Sequence, residues 1–205
     1  LTIERVHFYY QRNKPVLDNL QFQLQPGQIC GLLGTNGEGK TTLLHLIGGL
    51  LRPKSGKMEV LESIPSQRQP SFLEQVFYVP VAFELPNLTA EGCRKRHAVF
   101  YPKFSADAWT NALQAFEVDP ETKLKSLSFG QKKKVLLSFA LASGCKLLLF
   151  DEPTDGLDIP SRDQFRRLLS ASMDEQRMAI IATHHANDMA LLFDHLLILK
   201  NHQLV

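Results

Sequence analysis

Gly34-Thr35-Asn36-Gly37-Glu38-Gly39-Lys40-Thr41-Thr42 decides the reading of this chain. It follows a short apolar run, residues 28–33 (QICGLL), suited to a buried parallel strand. It precedes a segment with Leu43, Leu44, Ile47 and Leu51 at helical spacing, which predicts a helix over 40–50. The pattern G-x-x-x-x-G-K-[ST] in this strand–loop–helix context is a phosphate-binding P-loop. Glycines let backbone N–H groups converge on an oxyanion without Cβ clashes, and the helix N-terminus adds partial positive charge. Lys40 supplies a cation to the β- and γ-phosphates, and Thr41 offers a hydroxyl to Mg²⁺. Alone, the motif implies a nucleoside triphosphate and Mg²⁺.

Working outward, Leu147-Leu148-Leu149-Phe150-Asp151-Glu152-Pro153 is an apolar strand ending in two carboxylates. Ligands of open α/β sheets bind at the carboxyl ends of strands. Asp151 is therefore expected to reach Mg²⁺, and Glu152 to face the γ-phosphate and an attacking water. Further strands are predicted over 2–10, 16–24, 76–79, 178–182 and 195–199, with turns at 13–15 and 26–27. The segment 89–117 reads as two helices interrupted by Pro102, the second capped by Ser105. Helices are also expected over 129–143, 161–173 and 186–192. This alternation predicts an α/β fold with a mostly parallel sheet, a small antiparallel β subdomain and an inserted helical subdomain. We expect one domain over 1–205. Residues 1–84 and 144–205 would form the core with its β subdomain, and 85–143 the helical subdomain.

Composition sets outer limits. With 44% hydrophobic residues a core can be buried, and a net charge of +2 gives no argument for nucleic acid. The one basic cluster, Lys123, Lys125, Lys132, Lys133 and Lys134, reads as a solvated loop and helix face. Cys30, Cys93 and Cys145 are scattered, with no metal or disulfide spacing, which points to a reducing, cytoplasmic compartment. No N-terminal signal pattern and no run of ~20 apolar residues appears, so the chain is not expected to cross a membrane itself. The start at Leu1 and the stop at Val205, inside an expected hairpin, suggest a trimmed sequence.

Further motifs complete a set. Leu127-Ser128-Phe129-Gly130-Gln131 resembles the LSGGQ signature of ABC ATPases. Asp155-Gly156-Leu157-Asp158 resembles the loop after their acidic pair, and Thr183-His184 their histidine switch. Tyr10, in the context Val6-His7-Phe8-Tyr9-Tyr10, resembles the aromatic that stacks on adenine. The resemblance covers essentially the whole chain, in the family's order, and adds Tyr10 and Val16 to the P-loop residues as nucleotide contacts. It implies a head-to-tail dimer with a copy of itself or a homologous subunit. Each ATP would lie between one P-loop and the other copy's Ser128, Phe129, Gly130 and Gln131. His184 would contact the γ-phosphate and orient Glu152, and Asp158 would cross the interface. Taken singly, Ser128 is a fair helix N-cap, Tyr10 an edge aromatic and His184 a strand-end histidine, with His185 competing for its role.

Two positions depart from the family. Phe129 replaces the signature's second glycine. Val81 stands where the family has a glutamine that ligands Mg²⁺, and Glu84 is the nearest polar substitute. The resemblance implies an ATPase peripheral to the inner face of the cell membrane, bound to integral membrane transporter subunits through the stretch from Val81 to Leu127. Phe100-Tyr101-Pro102-Lys103-Phe104-Ser105 resembles small bacterial exporter ATPases and favours export. Two alternatives are a non-transport ABC ATPase of repair or translation type and a nucleotide-binding regulatory subunit with weak hydrolysis. No heptads lie between P-loop and signature, which disfavours the repair type. Val81 favours the regulatory reading, and the intact Glu152 opposes it.

Overall fold

The computed structural model describes residues 1–12, 14–184 and 189–205. Strands β1 (Thr2–Gln11), β2 (Lys14–Gln23) and β4 (Ser55–Glu59) form an antiparallel sheet in the order β2-β1-β4. On β1, Ile3, Val6 and Phe8 are buried while the residues between them are largely exposed, the pattern of a half-buried strand. Strand β4 escaped the sequence reading because SGKME buries only Met58.

The second sheet holds β3 (Ile29–Leu33), β5 (Val76–Val79), β6 (Leu147–Asp151), β7 (Met178–Thr183), β8 (His195–Lys200) and β9 (Gln203–Leu204). Its order is β5-β6-β7-β3-β8-β9, parallel except for the terminal β8–β9 hairpin. Strands β6 and β7 are buried on both faces, which explains why they read as continuous apolar runs. Their two-residue period divides the interior. Leu147 and Leu149 join one hydrophobic cluster with Leu43, Leu44 and Ile47, and Leu148 and Phe150 join the other with Phe165 and Leu169.

Helix α1 (Lys40–Ile47) packs under the first face, and α6 (Ile159–Ser172) lies on the second. A short helix, α2 (Pro70–Leu73), precedes β5. Between β5 and β6 come α3 (Ala90–His97), α4 (Ala106–Ala115) and α5 (Phe129–Ala142). Ser105 caps α4 by accepting from Ala108 N at 3.1 Å. The ring of Phe139 on α5 is the hub of this region. Its centroid lies 5.0 Å from Phe104, 5.6 Å from Phe77, 5.8 Å from Tyr101 and 5.9 Å from Trp109.

Of the helix expected over 186–192, only a turn at Ala190–Leu192 falls within the described residues. Asn13, in an expected turn, lies outside them. Among the basic cluster, Lys123 and Lys125 are exposed, but Lys133 is fully buried, a correction to the reading of a solvated face. The cause is its place at the fifth position of α5, turned toward the segment that leaves β5. Cys30, Cys93 and Cys145 are free and buried. No described helix is long and apolar enough to cross a membrane.

Removing the aromatic hub is the severest test of this packing. Phe139→Ala is expected to cost about 3–5 kcal/mol. Urea unfolding followed by fluorescence of Trp109, the single tryptophan, measures it.

Candidate functional site

The loop between β3 and α1 is shaped by close backbone approach. Gly39 has φ 106°, and a Cβ there would fall 2.9 Å from the Leu17 side chain and 3.0 Å from Val16 O. Both facts demand glycine at the entrance to α1. Lys40 Nζ donates to Gly34 O at 2.6 Å and Thr35 O at 3.2 Å, and lies 4.0 Å from Glu152 Oε1. The loop thus positions a nearly buried cation beside the acidic strand end.

Strand order brings the remaining groups together. Strand β7 runs between β3 and β6, with Thr183 level with Leu33 and Ala182 level with Asp151. Thr41 Oγ1 donates to Asp151 Oδ2 at 2.7 Å, and Tyr78 OH donates to the same oxygen at 3.2 Å. His45 Nε2 meets Tyr78 OH at 3.0 Å. Burial raises the Asp151 carboxyl above its ordinary range, and the hydrogen bonds from Thr41 and Tyr78 oppose that shift. Burial and the neighbouring carboxylate push the Tyr78 phenol well above its usual range, so it stays a donor.

Glu152 has φ 46°, a left-handed conformation uncommon for a residue with a Cβ. Its N–H donates to Ala182 O at 2.9 Å. Its carboxylate accepts from His184 N at 3.1 Å, and His184 Nδ1 lies 2.7 Å from Oε1. Such strain clusters at functional sites. Here it turns the carboxylate back toward Lys40 and the end of β7.

A cavity of about 430 Å³ collects these groups. It is lined by Tyr10, Val16, Asn36, Gly37, Gly39, Lys40, Thr41, Thr42, Val81, Asp151, Glu152, Asp155 and His184. Its size suits a small-molecule ligand. Tyr10 is 61% exposed at the rim, with its OH 3.2 Å from Thr42 Oγ1. Gly34 and Thr35 lie behind the cavity and hold Lys40. Glu38 faces away from it, toward Thr35 and the backbone of His202.

Glu84 lines a different, apolar groove with Phe77, Leu85 and Phe139, so it does not replace the glutamine absent at Val81. Tyr78, His45 and Asp155 were missed as site residues. Nothing local in the sequence marks Tyr78 or His45, whose contacts span 73 and 33 positions. His185 lies outside the described residues.

The oxygens of Thr41 and Asp151, already within hydrogen-bond distance of one another, are hard donors that fit Mg²⁺. Two protein ligands suffice for an ion that keeps waters and takes its other ligands from phosphates.

Ser128, Phe129, Gly130, Gln131 and Asp158 do not line this cavity. Ser128 caps α5 in a reciprocal capping box with Gln131, at 3.3 and 3.0 Å. Asp158 caps α6, accepting from Ser161 N at 2.8 Å, and hydrogen bonding from the Ser161 side chain, with this backbone bond second, lowers its pKa.

A phosphate loop and a strand-end acidic pair facing one cavity define a P-loop nucleoside triphosphatase. The family model described as ABC transporter matches residues 17–155. The molybdate import ATP-binding protein MolC of Haemophilus influenzae is 35% identical over 99% of this chain and 79% of its own length. The chain belongs to the ABC transporter family, as an ATP-binding subunit of ATPase type. Among solved structures, cbiO1 of Clostridium perfringens, part of the ABC transporter complex cbiONQ, has TM-score 0.80 and 26% identity, covering 100% of this chain and 86% of its own. An ATP-binding cassette solved as a dimer with ADP and Pi shares the fold, with TM-score 0.85 and 22% identity over 99% of this chain and 95% of its own.

The buried Asp151 charge gives a pH-dependent prediction. Its raised folded-state pKa means that its contribution to stability is present below the ordinary carboxylate range and lost as pH rises through the folded value. Asp151→Asn is therefore expected to raise Tm at pH 7, by about 2–4 °C for each kcal/mol relieved in a chain of this size. The gain shrinks as pH falls through the raised folded value, where the wild-type carboxyl takes up its proton as well. Thermal unfolding at a series of pH values measures both.

Proposed function

We propose that this chain binds ATP with Mg²⁺ in the 430 Å³ cavity and hydrolyses it to drive transport through separate integral membrane subunits. The observation that carries the reading is Glu152. Its carboxylate is held by His184, 4.0 Å from Lys40, on a strained backbone facing the cavity. In this reading Lys40 and the backbone donors of Gly37 to Thr42 hold the phosphates. Asn36 and Thr42 line the loop's inner side, and Tyr10 and Val16 meet the base. Thr41 and Asp151 hold Mg²⁺, which supplies charge neutralisation on the phosphate oxygens. Glu152 accepts the proton of the attacking water, and His184 keeps the carboxylate aimed.

The second half of each site would come from another copy of this chain or a homologous subunit. Ser128, Phe129, Gly130 and Gln131 start a 14-residue helix whose N-terminus suits a γ-phosphate, and they are outside their own chain's cavity. Asp158 and its exposed neighbour Ile159 would lie across the interface. The stretch from Val81 to Leu127 would dock the membrane subunit, placing the protein on the inner face of the membrane. Membership of a complex, as for cbiO1, supports that arrangement.

The proposal leaves transport direction to the membrane subunits. Tyr101 and Phe104, the aromatics of the segment that favoured export, are accounted for by their packing on Phe139, and the relative MolC is an import protein.

Glu152→Gln is expected to lower ATP turnover by about 10²–10⁴-fold while ATP still binds. The same variant should form an ATP-dependent dimer in gel filtration, because cleavage no longer releases it. Wild-type protein that binds no ATP, or a variant that turns over like wild type, overturns the reading.

A further inference from the structure

Lys133 occupies an unusual place. It is fully buried, yet among the described residues its ammonium makes no ion pair. A buried lysine is rare without a partner, because desolvation opposes the charge. Its Nζ donates to Pro80 O at 3.3 Å and lies over two rings, 5.6 Å from the Phe83 centroid and 5.9 Å from that of Phe129. Those rings are 5.4 Å apart. Phe129 and Lys133 share one face of α5 through their i, i+4 spacing. Desolvation lowers the lysine pKa, while Asp155, Asp151 and Glu152 favour its charged form.

The clamp joins three segments that the sequence separates. Pro80 to Phe83 leave β5, and Val81 among them lines the nucleotide cavity. Phe129 opens α5. Its ring lies against Gly156, where an added Cβ would fall 2.8 Å from it, and a Cβ on Gly130 would meet Gly156 O at 2.5 Å. A continuous path of contact therefore runs from the wall of the cavity, through the ammonium and the Phe129 ring, to the loop that carries Asp158. Both positions that depart from the family pattern, Val81 and Phe129, lie on it.

We propose that Lys133 is a positioning residue. Its buried ammonium, gripped by Phe83 and Phe129 and bonded to Pro80 O, locks the cavity wall at Val81 to residues 128–131 and to the Gly156 loop. Occupancy of a chain's own cavity is thereby transmitted to the surface it offers a partner's ATP. The inference rests on the dimer reading above and assigns the cation as the device that carries the link in a chain with an apolar residue at position 81.

The test uses the full chain in a Glu152→Gln background, where ATP-dependent dimerisation can be read without turnover. Adding Lys133→Met removes the charge and keeps the side chain's length. ATP affinity of the dilute monomer is expected to stay within about twofold, while ATP-dependent dimerisation weakens by about tenfold, within the usual range of coupling between sites. Phe83→Leu, which leaves the ammonium in place, should give a smaller loss of the same kind. It also serves as the test should Lys133→Met fail to fold. Combining the two should lose no more than Lys133→Met alone, since both act through one unit. Equal dimerisation with and without Lys133, multiplicative losses, or no effect of Phe83→Leu would overturn the proposal. Absence of ATP-dependent dimers in the Glu152→Gln parent would instead overturn the dimer reading.

Discussion

The hydrogen bond from Thr41 to Asp151 joins residues 110 positions apart, and the site depends on the constraint that makes it possible. That constraint is parallel register. Strands β3 and β6 do not touch, because β7 runs between them. The loop after β3 and the acids after β6 can face each other only if all three strands end at one level. The pairing of Leu33 with Thr183 and of Asp151 with Ala182 provides that level. The same arrangement places His184, one residue beyond β7, between the lysine loop and Glu152. A slip of one residue in β7 would exchange its two buried faces and withdraw the histidine as well.

Several features of the site oppose stability. Glu152 holds a left-handed backbone, a cost of about 1–3 kcal/mol. Asp151 is buried with its charge opposed by desolvation. Lys133 is buried without a carboxylate partner at salt-bridge distance among the described residues. All three lie around one end of the parallel sheet, while its strands bury apolar residues on both faces. Hydrophobic burial along β6 and β7 offsets the strain gathered at their carboxyl ends.

Much of this was legible in the sequence because its signals are local. The apolar runs at 28–33 and 147–150 suit buried strands, and the glycines, lysine and threonine between strand and helix name their own chemistry. Ser105 and Ser128 announced helix starts. What stayed hidden depends on distant neighbours. SGKME has no apolar alternation because β4 lies at an edge with one buried side chain. Tyr78 looks like any strand aromatic until Asp151 and His45 are beside it. Lys133, one of three consecutive lysines, reads as solvated because nothing nearby shows that Phe83 and Pro80 close over it.

The three thiols carry a consequence for the working molecule. Burial pushes Cys30 up to about 12 and Cys145 up to about 11, and raises Cys93 as well. The thiolate is the form that oxidants and electrophiles attack, and none of the three holds it at neutral pH. None lines the cavity either. Buried as thiols and away from the cavity, the three cysteines offer oxidants and electrophiles no direct route to the residues that line it.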